Sequence, residues 1–297
     1  MRSILFAIIS FMILISICAE SVETKDGKFR KYWYQGKAEL TRYALEQARY
    51  GEIHKGDAVL IFVTEPFLKD KQVKYESGDR SNATSVLKLN LTKKFFTGIY
   101  PYSVMTSVFS PLDLQNQHAL KVTSSTQEWC GHTFMQLNLR NGQYNGLMRS
   151  YFQAEGDQNF DLKAAWLEDE IWTRIRIAPE TLPVGEVEMI PGLQYVRLGH
   201  VDYKPVKVVA TRNDLPDGVA SYTLEYKNWK RKLTVKFQDQ FPYAIVSWEE
   251  SAPGGFSTDS PILTTKAVKT NSLLLDYWDK HGNEDAGYRK QLGITQK

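Results

Sequence analysis

The sequence has few of the residues that usually announce chemistry. Only two cysteines, Cys18 and Cys130, occur in 297 residues, which excludes a disulfide framework as the source of stability. The five histidines (54, 118, 132, 200 and 281) fall into no HExxH or comparable ligand spacing, so no metal is expected. A GxSxG elbow and a GxxxxGK[ST] loop are both absent, which removes the α/β-hydrolase and P-loop nucleotide classes. No cofactor is expected. Charge of one sign is scarce as well: the formal net charge is +3, and the densest basic runs, Lys93-Lys94 and Lys230-Arg231-Lys232, are short. Nucleic-acid binding needs a larger field of one sign, so no nucleic-acid partner is expected. No repeat stands out at a solenoid or propeller period.

Long apolar runs are limited to one. Ile4–Ile17 follows Arg2 at the N-terminus, the pattern of a charged n-region and apolar h-region in a secretion signal. It is shorter than the ~20 residues of a spanning helix. Residues 1–19 therefore read as a signal and residues 20–31 as a polar tether. Cleavage after Ala19 would leave Glu20 as a free N-terminus. Ile15-Ser16-Ile17-Cys18 instead resembles a bacterial lipobox, although Ile17 stands where that pattern has a small residue, and it would make Cys18 a lipidation site. Both endings imply export, to the periplasm or to a membrane of a bacterial envelope held only through an N-terminal lipid. Both leave Cys130 without an intramolecular disulfide partner.

What is present is material for a core. Apolar residues make up 42% and charged residues 24%, so disorder is not the default. Residues 32–297 read as a single β-rich domain, divisible into halves 32–160 and 178–297 joined by a helix over 161–176. Ala38–Arg49, Ala58–Thr64, Ser85–Thr92, Tyr102–Phe109, His118–Ser124, Trp129–Arg140 and Gly146–Ala154 have strand length or alternation, with a turn region over Tyr50–Asp57. Asn141-Gly142 is a type I′ turn signal. Leu167, Ile171 and Ile175 mark the helix stripe. Leu193–Leu198, Val206–Thr211, Val219–Tyr226, Lys232–Phe237, Ala244–Glu249 and Leu263–Lys269 repeat the strand pattern. Short helices are expected over Ser272–His281 and Asp285–Leu292. The fold class is mainly β: a large antiparallel meander, curved into a half-barrel or barrel, with one central helix and short C-terminal helices.

The most pointed chemical cluster is Gln127-Glu128-Trp129-Cys130-Gly131-His132. On an extended strand Glu128, Cys130 and His132 would share a face, with neighbours ~6–7 Å apart at Cα. His132 could then reach a Cys130 thiolate, the minimum for a thiol nucleophile. The competing reading is packing, since a lone cysteine is commonly buried. Cys130 is therefore expected to be buried on a strand. Glu168-Asp169-Glu170 is acidic, but its members fan out around a helix, so it reads as a solvated surface. Asn82-Ala83-Thr84 and Asn90-Leu91-Thr92 fit the glycosylation pattern.

Four stretches together carry a resemblance: Tyr32 to Glu39, Leu45 to Glu52, Gly98 to Ser103 and Gln127 to His132. They resemble an uncharacterised family of exported bacterial proteins, some labelled septum formation inhibitor Maf, across most of the mature chain. Proteins that merit the Maf name are cytoplasmic nucleotide pyrophosphatases with an N-terminal Ser-x-Ser-Pro-Arg-Arg loop. That loop is absent here, so no catalytic residue and no septum role carries over. The resemblance implies export and assigns no activity. The expected function is a non-catalytic envelope module that binds or supports, with the concave side of its sheet as the site. One alternative is a carrier of a lipid or other apolar ligand. The other is a thiol-dependent enzyme using Cys130 and His132, with Glu128 beside them. The expected partner is an apolar ligand or an envelope protein.

Overall fold

The computed structural model describes residues 27–113, 118–255, 257 and 259–294. The secretion signal, Cys18 and Glu20 lie outside the described residues. Residues 1–37 and 38–297 separate into two compact units. In the first, residues 27–33 form helix α1, where the Tyr32 and Trp33 rings meet edge-on at 5.0 Å. The last residues of the expected tether, 27–31, are thus helical.

The second unit is built on one 16-stranded sheet. Its strands are β1 (Ala38–Arg49), β2 (Glu52–Leu68), β3 (Val73–Lys74), β4 (Ala83–Thr97), β5 (Tyr100–Pro111), β6 (Lys121–Glu128), β7 (Gly131–Arg140) and β8 (Gln143–Ser150). They continue as β9 (Gln158–Lys163), β10 (Trp166–Leu167), β11 (Gly185–Ile190), β12 (Val206–Leu215), β13 (Val219–Tyr226), β14 (Arg231–Gln238), β15 (Ile245–Pro253) and β16 (Ile262–Leu275). Helices α2 (Glu168–Ile177), α3 (Leu193–Gly199) and α4 (Gly287–Gln291) complete it. The spatial order is β10 through β16, then β1, β2 and β4 through β9, with β3 paired to β2. Neighbours are antiparallel except the short β10–β11 pair, which is parallel. Mainly β, one large antiparallel sheet and few short helices is the architecture expected. The sheet does not close into a barrel, because β9 and β10 remain free edges.

The sheet curls around α2. Ser110 on β5 meets Thr173 of this helix at 2.6 Å, and Arg231 on β14 meets Glu168 of the same helix at 2.5 Å. On a flat sheet those strands would lie six steps of about 4.8 Å apart, roughly 29 Å. A helix only about 10–12 Å across cannot span that. Long antiparallel sheets twist and coil because strands twist right-handedly, and here the coil encloses the helix. Nine of the ten residues of α2 are buried. The opposite face of β16, β1 and β2 is covered too: Ala38, Leu40, Val59 and Val63 pack with Leu292, Tyr277 and Ile294 of the C-terminal segment.

Several expected elements are corrected. The expected helix over 161–176 begins only at Glu168; residues 158–163 pair with β8, with Leu162 opposite Tyr144. Leu193–Leu198 is helical rather than extended. Pro191 and Gly192 break the chain ahead of it, and Leu193, Val196 and Arg197, at helical spacing, are the residues buried. Residues 52–57 belong to β2, leaving Tyr50 and Gly51 as the turn, both at positive φ. Asn141 and Gly142 also have φ of 50° and 78°, the backbone of the expected type I′ turn. The Ser272–His281 helix is absent among the described residues: β16 runs to Leu275, and Tyr277–Asp279 is one 3-10 turn.

Candidate functional site

Three consecutive acids at the start of α2 are not a solvated surface. Glu168, Asp169 and Glu170 do fan out, but each direction leads into the interior of the curled sheet, and none is more than 9% exposed. Glu170 accepts from His118 Nδ1 at 2.8 Å and from the N–H groups of Ala119 at 2.5 Å and Leu167 at 3.1 Å. Asp169 accepts the Leu193 N–H at 2.9 Å, tying α3 to α2. Glu168 takes two hydrogen bonds from the Arg231 guanidinium, at 2.5 and 2.7 Å, and one from Tyr226 Oη at 2.5 Å. At the other end of α2, Arg176 makes a bidentate pair with Glu39 of β1 at 2.6 Å. Acids in the first turn and bases in the last also suit the helix dipole.

Arg231 links this network to a cavity. Its Nε donates to Glu250 on β15 at 2.7 Å, and the guanidinium lies 4.0 Å from the Tyr195 ring centre and 4.7 Å from that of Tyr226. Its charge is thereby divided between two carboxylates and two aromatic faces. Arg231 and Lys93 hold Glu250 below its usual carboxylate range against the opposing effect of burial. Beyond Glu250 opens a cavity of about 470 Å³, within the ~300–1,000 Å³ range of small-molecule sites. Its walls are mostly apolar: Tyr195, Leu198 and Val201 from α3 and its exit, Trp229 from the β13–β14 connection, and Pro253 and Leu263 from β15 and β16. Its floor is polar, with Gln47, Lys93, Gln194, Glu250 and Thr265.

The floor is incompletely satisfied by the protein. Gln47 Nε2 donates to Thr265 Oγ1 at 3.0 Å, while its Oε1 is buried without a partner among the described residues. Gln194 Nε2 is buried and unpartnered in the same sense. Lys93 is 6% exposed, and among the described residues its ammonium has no hydrogen bond and no ion pair within 4 Å. Burial pulls its pKa down. Buried polar groups are normally hydrogen-bonded, so the concentration of open donors and acceptors on one cavity floor marks a place for a ligand.

The cluster expected on one strand face is arranged differently. Trp129 and Cys130 form the turn between β6 and β7, with Glu128 paired to Gly131 and Gln127 to His132. The two-residue alternation that would align Glu128, Cys130 and His132 is interrupted there. Cys130 is exposed, not buried. It meets Glu128, whose carboxylate accepts the Cys130 N–H at 2.6 Å and pushes the thiol pKa up. An activated thiol needs the opposite environment. Glu128 also sits 3.6 Å from Arg197 of α3, and Arg197 lies over the Phe152 ring at 4.3 Å. Those contacts brace α3 along the cavity. Among the described residues no cluster of three or more metal-ligating side chains occurs.

Sequence reasoning did not find Gln47, Lys93, Gln194 and Glu250, which lie far apart in the chain. One signal was present: Lys93 falls on the inward alternation of a strand together with Leu91 and Phe95, where a charged residue is out of place. A scan against protein-family models, a search of curated proteins and a search of solved structures each find no match to this chain.

Proposed function

We propose that the protein is a binding protein that holds a small amphiphilic molecule in the cavity between α3, β1, β15 and β16. The observation that carries this reading is the pairing of apolar walls with an open polar floor in a space of about 470 Å³. Apolar walls favour transfer of a chain or ring from water, at roughly 25 cal/mol per Å² buried. A few polar groups at one end fix its orientation. A carrier or receptor needs no more than this. The exported setting suggested by residues 1–19 suits such a role, and fusion of residues 1–25 to a reporter tests it: a reporter retained in the cytoplasm would refute export.

Binding itself is tested on protein purified from its native host. Native mass spectrometry is expected to show a co-purifying small molecule, released on denaturation. Nile red should gain fluorescence with the stripped protein. Ala252→Trp, which fills the wall, should abolish that gain while leaving the circular dichroism spectrum intact. Unchanged dye binding in Ala252→Trp would overturn the assignment of the cavity.

A further inference from the structure

Resting on the reading of the cavity as a ligand site, we propose that the ligand carries a monovalent anionic head group of the carboxylate class, which pairs with Lys93 and accepts a hydrogen bond from Gln194. The argument begins with how charge is distributed on the floor. Arg231 is committed: it contacts Glu168 through two nitrogens and Glu250 through the third. Lys93 is the floor's other cation. It lies in the field of Glu250, Arg231, Glu168 and Asp169, yet none of the three carboxylates comes within 4 Å of its ammonium. A buried ammonium is strongly destabilising unless paired. The side chain could have been an apolar residue, as Leu91 and Phe95 are on the same face of β4.

The open groups nearest to it favour an anion. Gln194 is 9% exposed, and its Nε2 is an orphan donor. A carboxylate can accept from the ammonium through one oxygen and from this amide through the other. Glu250 is the competing anchor, which an amine ligand would choose. Its negative charge is already balanced by Arg231 at 2.7 Å, so it has less to gain. Two cations and two firmly paired carboxylates leave room for one added negative charge. A phosphate dianion would leave an excess in a buried site. The chain attached to the head group would run along Leu198, Val201, Leu263 and Trp229.

The test compares three ligands of one chain length on the stripped wild-type protein by isothermal titration calorimetry: dodecanoate, dodecanol and dodecylamine. Dodecanoate is expected to bind roughly tenfold or more tighter than either of the others. Lys93→Met should erase that preference while dodecanol still binds. If that variant does not fold, the wild-type ranking decides by itself. Equal affinity for dodecanoate and dodecanol would overturn the head-group assignment and leave the cavity reading standing. A preference for dodecylamine would overturn it in favour of Glu250. Binding of none of the three, together with no nile red signal, would remove both.

Discussion

Arg231 illustrates how much of the interior rests on one side chain. It enters from β14, meets the N-terminal turn of α2 and the β15 carboxylate together, and is sandwiched by tyrosine rings. Arg231→Met would leave Glu168 and Glu250 buried without their cation. The expected loss is about 3–5 kcal/mol, read from urea unfolding midpoints. A loss under about 1 kcal/mol would mean that water reaches both carboxylates and that the network is more open than it is drawn here. Asp169 offers a pH signature. Burial pushes its carboxyl from the ordinary 3.8 up to about 7, opposed by the Leu193 N–H. A carboxyl whose folded pKa is the higher one favours folding while it stays protonated. That contribution is complete below about pH 4 and is lost as pH rises through about 7. Asp169→Asn stays neutral and can still accept the Leu193 N–H. Relative to the variant, the wild type should therefore lose on the order of 2–4 kcal/mol between about pH 4 and pH 8. Parallel pH profiles for the two proteins would contradict this.

At the level of elements, the strands were the legible part. Ala38–Arg49 and Val219–Tyr226 were readable to the residue, because alternation reports directly which face is buried. The helices were not. Leu167, Ile171 and Ile175 gave the stripe of α2, but its polar residues are buried as well, and a helix enclosed by a sheet has no solvated face to report. What distinguishes Glu168 in the interior from a glutamate on the surface is Arg231, 63 positions away. The site was illegible for the same reason, since its floor comes from β1, β4, α3, β15 and β16. Close approach between strands also leaves a testable mark. A Cβ at Gly56 of β2 would lie 2.3 Å from the Lys94 carbonyl oxygen and 2.7 Å from Phe95 Cβ on β4. Neither neighbour is the free end of a flexible side chain. Gly56→Ala is expected to cost about 1–3 kcal/mol by forcing the two strands apart. A neutral result in thermal denaturation would show that β2 and β4 can separate freely at this point.

For the whole molecule, the connection between β16 and β1 has a consequence for how the chain folds. These strands lie in the middle of the sheet, and Thr41 and Ser272, 231 residues apart in sequence, share a hydrogen bond at 2.8 Å. The free edges, β9 and β10, are consecutive in sequence. The sheet is thus an up-and-down ribbon whose covalent break falls at its centre and whose covalent continuity falls at its rim. Folding must close that central seam across nearly the whole chain before it gains the seam's contacts. Ile294 packs beside Ala38, so a short linker could join them. A circular permutant of residues 38–294, joined there and opened between β9 and β10, would place nearly all of the major strand pairings between neighbours in sequence. In stopped-flow measurements its folding arm should rise, while its unfolding arm stays close to that of the parent unit. An unchanged folding rate would show that the seam closes after the rate-limiting barrier, with the two ribbons on either side folding first as separate sheets.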